Sequence, residues 1–242
     1  MTAIEPQMIR QWTKDALAMF WVGRARLPHE IEKTPKGQPK LAPLAPAKLL
    51  DGFFEICAQA AQGAEAEGVE IIPNNQAFLP SYFRPSKRWG ALYRVNEMLA
   101  GVLEVRALVG KTAAETYAQR LEEVLAMGFD LRVASELGLY KMPFAPWSGF
   151  LLILESNEDT RRPKPSTECV GDSLSEFEGT SIIDRCTLFC KKIVEQELFT
   201  SAALIVCDRQ RPQEFREPLE GQGLVELCQS LQGRLEMMAE EL

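Results

Sequence analysis

Apolar positions recur with the period of a helix in five parts of the chain and form short continuous runs in four others. The helical spacing predicts helices over residues 6–25, 46–66, 112–136, 181–198 and 219–242. The short runs predict strands at 91–95, 101–108, 149–154 and 202–206, the first two forming a hairpin around Asn96 and Glu97. This mixture of helices and buried strands predicts an α/β fold.

Two stretches between these elements read as loops. Residues 27–46 contain five prolines, which predicts a long Pro-rich loop. Residues 156–178 are rich in Pro, Ser and Glu, which predicts a surface excursion. No internal repeat or shift in composition divides the chain, so we expect a single domain over residues 1–242.

Composition narrows the class of protein. Hydrophobic residues make up 46% of the 242 residues and charged residues 25%, the balance of a folded globular chain rather than of a disordered or collagen-like one. No apolar run approaches the length of about 18 residues that a membrane span requires. The N-terminus lacks the apolar core of a signal peptide. We therefore expect a cytoplasmic protein without a membrane partner.

The six cysteines lie at positions 57, 169, 186, 190, 207 and 228, mostly in apolar segments. This placement predicts reduced thiols packed in the core. Cys186 and Cys190 are four residues apart on a predicted helix, but the single histidine, His29, leaves a Cys/His zinc site short of ligands. The scarcity of histidine also argues against a His-based catalytic triad.

The net charge of −7 implies that any contact with nucleic acid is local. Basic residues cluster in four places: Lys33, Lys36 and Lys40; Arg84, Lys87, Arg88 and Arg94; Arg161, Arg162 and Lys164; and Lys191 and Lys192. The second cluster is interleaved with Tyr82, Phe83 and Trp89. Such clusters suit DNA contacts, and they are also common on solvated surfaces.

Glu104 stands within the apolar run GVLEV. A lone carboxylate is costly there unless it is paired, bound to a metal ion or turned to a cleft. Alternation along a strand places Glu104 and Arg106 on the same face, where their charges can meet. The pattern predicts either a salt bridge or a functional carboxylate.

Six segments together resemble the XhoI family of type II restriction endonucleases in their order and spacing. They are LLDGFFEI at 49–56, LPSYFRPSKRW at 79–89, LEVRALVG at 103–110, QRLEEVL at 119–125, PWSGFLLILE at 146–155 and FEGTSIIDRCTLFCKKIVEQELFTSAALIV at 177–206. The resemblance implies a PD-(D/E)XK restriction-endonuclease-like core, with a mixed central sheet flanked by helices. It also implies a site that acts on duplex DNA.

In the family that the chain resembles, an Asp, a later acidic residue and a Lys two positions beyond it form the catalytic site, and the carboxylates hold Mg²⁺. The resemblance places the Asp at Gly90, the acidic residue at Glu104 and the Lys at Arg106. Glycine has no side-chain oxygen, and arginine keeps its proton because its pKa lies above about 12. We therefore expect badly impaired cleavage, with Mg²⁺ as a cofactor only of an active form.

Arg106 is expected to neutralise Glu104 where the metal ion would otherwise lie. Asp51 and Glu55 resemble acidic residues that line the cleft in the family, so they are alternative metal ligands beside Glu104. Glu97, Glu122 and Glu123 are further candidates. An N-terminal helix charge at Asp51, a turn at Glu97 and solvated helix faces explain these residues without a metal ion.

Two main functions follow from the resemblance. In the first, the chain is a catalytically impaired relative that serves as a duplex-DNA-binding or scaffold subunit in a defence or mobile-element complex. In the second, it is an active Mg²⁺-dependent, sequence-specific double-strand endonuclease with a rearranged metal site. A third possibility is a fold that serves only protein contacts.

The resemblance also implies the mode of DNA binding. The candidate DNA-binding residues are Arg84, Lys87, Arg88, Arg161, Arg162 and Lys164. The family binds palindromic duplex sites symmetrically, which implies a homodimer or a subunit of a larger complex.

Overall fold

The computed structural model describes residues 4–27, 48–110, 112–142, 144–165 and 170–241. The strands are β1 (Val69–Pro73), β2 (Phe78–Pro80), β3 (Ser86–Arg88), β4 (Ala91–Val95), β5 (Met98–Leu108), β6 (Trp147–Glu155), β7 (Ser201–Asp208) and β8 (Arg211–Arg216). The helices are α1 (Pro6–Ala25), α2 (Asp51–Gln62), α3 (Ala113–Glu136), α4 (Glu158–Arg161), α5 (Ile182–Glu195) and α6 (Leu224–Glu241).

The central sheet is mixed and has six strands in the order β1-β4-β5-β6-β7-β8, while β2 and β3 pair separately. β5, β6 and β7 are parallel, and the remaining pairs are antiparallel. Every residue of β6 is buried, as expected for a strand between two parallel neighbours that helices cover on both faces. The α/β prediction and its four strands are thus confirmed.

Helices cover both faces of the sheet. α1, α2 and α6 pack on one face, and α3 and α5 pack on the other. Along β5 the apolar side chains alternate: Leu103 and Val105 belong to the first layer, and Val102 and Leu108 to the second. By this alternation Glu104 and Arg106 lie on the face covered by α3.

The β4–β5 hairpin turns at Asn96 and Glu97, which have φ of 47° and 68°. Two positive φ values are the signature of the type I′ turn that suits a two-residue hairpin. The predicted helix over 46–66 is shorter at both ends, because α2 begins at Asp51 and Gly63 follows its last residue. The last helix begins at Leu224 rather than at residue 219.

Several predictions fall on residues that the structure does not describe. The 27–46 loop lies outside the described residues apart from Leu27, and so do His29, Lys33, Lys36, Lys40 and Cys169. In the 156–178 excursion, the described part contains α4 and a 3-10 turn at Ser175–Phe177. The five described cysteines are free and buried, as predicted. Within the described ranges, no helix combines the length and the apolarity needed to span a bilayer.

Candidate nucleic-acid interface and degenerate catalytic site

Glu104 is buried within β5, with 6% of the residue exposed. The Nε atom of Arg106 lies 2.8 Å from its Oε1 atom, and the Nζ atom of Lys87 lies 3.8 Å from its Oε2 atom. The predicted ion pair between Glu104 and Arg106 is therefore present. Arg106 Nε makes no well-aligned hydrogen bond within the described residues, so its attraction to Glu104 is between charges rather than along a directed N–H bond.

Burial shifts the pKa values of both Glu104 and Lys87 away from their ordinary values. Burial raises the pKa of Glu104, and the opposing effects of Arg106, Lys87 and the backbone N–H of Gly90 do not cancel it. Burial also lowers the pKa of Lys87, against the attraction of Glu104. Each group is thus held where water stabilises its charge poorly.

Lys87 and Arg106 are both fixed by further contacts. Lys87 Nζ lies 4.6 Å from the ring centroid of Trp89 and donates a hydrogen bond of 2.6 Å to the carbonyl of Arg88. Arg106 Nη2 lies 3.7 Å from the sulfur of Met127 on α3. The predicted DNA contact Lys87 therefore points partly inward, because it also neutralises Glu104.

Gly90 lies immediately before β4 and is closely surrounded. A Cβ atom at this position would lie 2.6 Å from the nearest ring atoms of Phe54 and 2.7 Å from the carbonyl oxygen of Leu103. These separations are too short for real atoms, so any side chain would displace the Phe54 ring and the β5 backbone. Phe54 of α2 and Leu103 of β5 leave no room for the acidic side chain that the resemblance leads one to expect here.

The described residues contain no group of three or more His, Cys, Asp or Glu side chains placed to hold a metal ion. Asp51 and Glu55 lie on α2, which packs on the face of the sheet opposite α3. The further candidates lie in the β4–β5 turn (Glu97) and on α3 (Glu122 and Glu123). Glu104 alone, between two cations, does not fit Mg²⁺, which needs negative oxygen ligands.

A pocket of about 500 Å³ opens beside Lys87 and Arg106, between the β2–β3 hairpin and α3. It is lined by Arg84, Ser86, Lys87, Arg88, Arg106, Glu123, Ala126 and Met127. Lys87 and Arg106 are already paired with Glu104, so the attraction of the pocket for an anion rests on the exposed Arg84 and Arg88. The structure therefore brings three predicted DNA-binding residues together, whereas Arg161, Arg162 and Lys164 follow β6 and do not line this pocket.

Asp130 of α3 is a buried residue that sequence reasoning missed. Its Oδ1 atom accepts hydrogen bonds from the backbone N–H groups of Tyr82, at 2.8 Å, and Phe83, at 3.3 Å. Its Oδ2 atom accepts a hydrogen bond of 2.5 Å from Ser81 Oγ. The available signal was an acidic residue within the apolar part of a helix, which requires buried partners.

Comparisons with known proteins identify the class to which this fold and basic site belong. The chain is 29% identical over 168 residues to the type II restriction enzyme BstVI of Geobacillus stearothermophilus, covering 67% of this chain and 75% of the relative. It is 24% identical over 180 residues to the type II restriction enzyme XhoI of Xanthomonas vasicola, covering 74% and 72%. It is 24% identical over 169 residues to the type II restriction enzyme AbrI of Azospirillum brasilense, covering 68% and 75%.

These relatives are restriction endonucleases. The family model of restriction endonuclease XhoI matches residues 30–216, so the chain belongs to the XhoI restriction endonuclease family. No solved structure matches the chain significantly.

Proposed function

We propose that this chain is a catalytically impaired member of its family that binds duplex DNA, alone or as a scaffold subunit of a defence or mobile-element complex. The observation that carries the proposal is the state of the degenerate site. Glu104 is neutralised by Arg106 and Lys87, and Phe54 and Leu103 crowd Gly90. In this arrangement the position of the first metal ligand is a glycine, and the carboxylate of the second, Glu104, already binds two cationic side chains.

The proposal includes the fold and its assembly. A PD-(D/E)XK core is supported by the β4–β5 hairpin, which follows Gly90 and carries Glu104 and Arg106, and by the parallel strands β6 and β7 after it. We assign this core to one domain over residues 1–242, acting in the cytoplasm as a homodimer or as part of a larger complex. We assign no Mg²⁺ to it, because the ion would have to displace two cations from Glu104.

The basic pocket supports the DNA partner. Arg84, Lys87 and Arg88 line the same pocket, and contacts of such side chains with phosphate groups fix the register of a protein on a duplex without reading its sequence. Arg161, Arg162 and Lys164 are proposed as additional phosphate contacts on the segment after β6. An acidic chain binds DNA in this way through one basic surface.

The test measures binding and cleavage with sheared genomic duplex DNA. We expect binding that weakens with salt and no discrete cut ends when Mg²⁺ is added. The double variant Arg84→Gln/Arg88→Gln is expected to lower the slope of log affinity against log salt by about 2, since each lost phosphate contact contributes about 0.9.

The matched control removes two charges from α5, in the variant Lys191→Gln/Lys192→Gln, and we expect it to leave the slope unchanged. Discrete cut ends with Mg²⁺ would overturn the proposal in favour of the active endonuclease with a rearranged site. Absence of salt-dependent binding would instead favour a fold that serves protein contacts.

A further inference from the structure

The β2–β3 hairpin projects a five-residue tip from a buried base. At the base, Ala77, Leu79 and Trp89 belong to the core, and the N–H of Trp89 donates a 2.8 Å hydrogen bond to the carbonyl of Ala77. The tip, residues 81–85, carries the sequence SYFRP. The hairpin therefore presents its tip from a rigid support.

Asp130 holds the tip in one conformation. Its carboxylate accepts three hydrogen bonds from Ser81, Tyr82 and Phe83, and Arg84 Nη2 lies 3.9 Å from its Oδ2 atom. The hydroxyl of Tyr140 also donates a hydrogen bond of 3.2 Å to the carbonyl of Pro80. The contacts of Tyr82 and Phe83 with Asp130 use their backbone N–H groups and leave both aromatic rings free to face outward.

The aromatic rings at the tip are exposed despite this support. Tyr82 is 52% exposed, Phe83 is 63% exposed, and Phe129 on α3 is 43% exposed. The ring of Phe83 stacks on Phe129 with centroids 6.0 Å apart, and Tyr82 meets Phe83 edge to face at 4.7 Å. Contiguous exposed apolar surface on a folded protein marks an interaction site.

One cation contacts these rings and two more lie on the same hairpin, which indicates the chemistry of the partner. The guanidinium of Arg132 lies 5.3 Å from the ring centroid of Phe129, and Arg84 and Arg88 are exposed on the hairpin itself. A surface that offers aromatic faces within a basic rim suits a partner with flat rings and negative charge. A nucleobase with its phosphate combines both properties.

We infer that Tyr82 and Phe83 form a stacking platform for a base that is unpaired in DNA or lifted out of a duplex, while the neighbouring basic pocket holds the adjoining phosphates. This inference rests on the proposed function, which supplies the DNA. Asp130 serves as the positioning residue because it fixes the backbone of both aromatic residues. The platform adds recognition of an exposed base to the recognition of phosphate.

The experiment compares two short DNA duplexes that differ by one unpaired adenine bulge, using the full chain and fluorescence anisotropy. We expect the wild-type protein to bind the bulged duplex at least about fivefold more tightly, which is the low end for one base stacked on an aromatic ring. A third duplex carries a mismatched pair and no bulge. Tighter binding to this duplex than to the fully paired one would show that the protein lifts a base out of the helix, because the mismatched bases otherwise stay stacked inside it.

Phe83→Ala and Tyr82→Ala are expected to lower the ratio of the affinities for the bulged and the paired duplex (the bulge preference) towards one. The affinity for the paired duplex should stay unchanged. Phe83→Leu should lose the bulge preference as well, and Phe83→Tyr should retain it, since stacking requires a ring. Met19→Ala on α1, which removes a side chain that is 70% exposed, is the matched control and should keep the preference.

The outcomes separate this inference from the proposed function. If the wild-type protein binds both duplexes equally, or if Phe83→Ala keeps the preference, the platform is refuted and DNA binding stands. If Phe83→Ala lowers the sedimentation coefficient of the protein and leaves the ratio of the two duplex affinities unchanged, the surface binds a second copy of the chain and the inference is overturned. If no DNA binds, the proposed function fails together with it.

Discussion

The Nε atom of Arg106 lies 2.8 Å from the Oε1 atom of Glu104, two residues away on the same face of β5. The two partners differ in environment, since the side chain of Glu104 is 8% exposed and that of Arg106 is 35% exposed. In this pair, a partly solvated cation therefore stabilises a carboxylate that has almost no contact with solvent. Its energetic role is to make the burial of Glu104 tolerable.

Removing only the cation should be costly. We expect Arg106→Met to lower the free energy of unfolding by about 1–3 kcal/mol, less than a fully buried pair would lose, because Arg106 is partly solvated and Lys87 remains beside Glu104. The double variant Arg106→Met/Glu104→Gln should recover part of this loss, because a neutral amide then replaces the buried carboxylate, although Lys87 loses its charged partner. Urea denaturation at pH 7 measures both values, and equal stability of the single variant and the wild-type protein would contradict the expectation.

The raised pKa of Glu104 makes stability depend on pH. Because its pKa in the folded protein exceeds the ordinary value of 4.5, the folded chain holds the proton more strongly than the unfolded chain does. The contribution of Glu104 to the free energy of unfolding of the protein is therefore highest at pH values below the ordinary pKa. It decreases as the pH rises through the folded pKa and stays constant above it.

Glu104→Gln isolates this contribution. Asp51 and Glu217, whose pKa values burial also raises, are present in both proteins and cancel in the difference. We expect the wild-type protein to lose stability relative to Glu104→Gln as the pH rises from about 4, with a constant difference near neutrality. Urea denaturation of both proteins across this range provides the measurement, and a difference that does not vary with pH would refute the expectation.

Gly90→Ala tests how closely the residues around Gly90 are packed. The added methyl group would meet the Phe54 ring and the Leu103 carbonyl, so we expect a loss of about 1–3 kcal/mol in the free energy of unfolding. Gly233→Ala on α6 is the control: its Cβ meets nothing within 4 Å, and we expect it to stabilise the helix by about 0.5–1 kcal/mol. Thermal or urea denaturation compares the two, and similar effects would show that Gly90 has room.

Phe54→Ala distinguishes the two contacts of Gly90. In the Gly90→Ala background, Phe54→Ala should lower the free energy of unfolding by less than it does in the wild-type protein. The reason is that it removes one of the two clashes of the added methyl group, while the Leu103 carbonyl remains. Additive effects of the two substitutions would contradict direct contact at this site.

Asp130→Ala tests the support of the hairpin tip. We expect a loss of about 1–3 kcal/mol, since the N–H groups of Tyr82 and Phe83 lose their acceptor. The bulge preference should fall as well, because the rings are no longer held in place. Asp130→Asn keeps an oxygen acceptor and should restore most of the preference. If Asp130→Asn and Asp130→Ala bind the two duplexes identically, the carboxamide oxygen has no positioning role.

The elements that sequence predicted well depend on local interactions. The β4–β5 hairpin follows from two apolar runs around Asn96 and Glu97, because a two-residue turn determines the pairing of adjacent strands. β8 and β1 escaped prediction because edge strands are exposed and lack the apolar run of a central strand. The family resemblance was predicted from six segments and is confirmed by the family match over residues 30–216.

Apolar periodicity was enough to predict the α/β class. Strand alternation placed Glu104 and Arg106 on one face of a buried strand, because it relates residues two positions apart whatever the rest of the chain does, and it left a salt bridge and a functional carboxylate as alternatives. Three further contacts are visible only in the folded protein: Lys87 also reaches Glu104, Phe54 and Leu103 crowd Gly90, and Asp130 holds the hairpin tip. These contacts join elements that are distant in the chain. Their geometry depends on how helices pack on the two faces of the sheet, which no periodicity within a single element specifies.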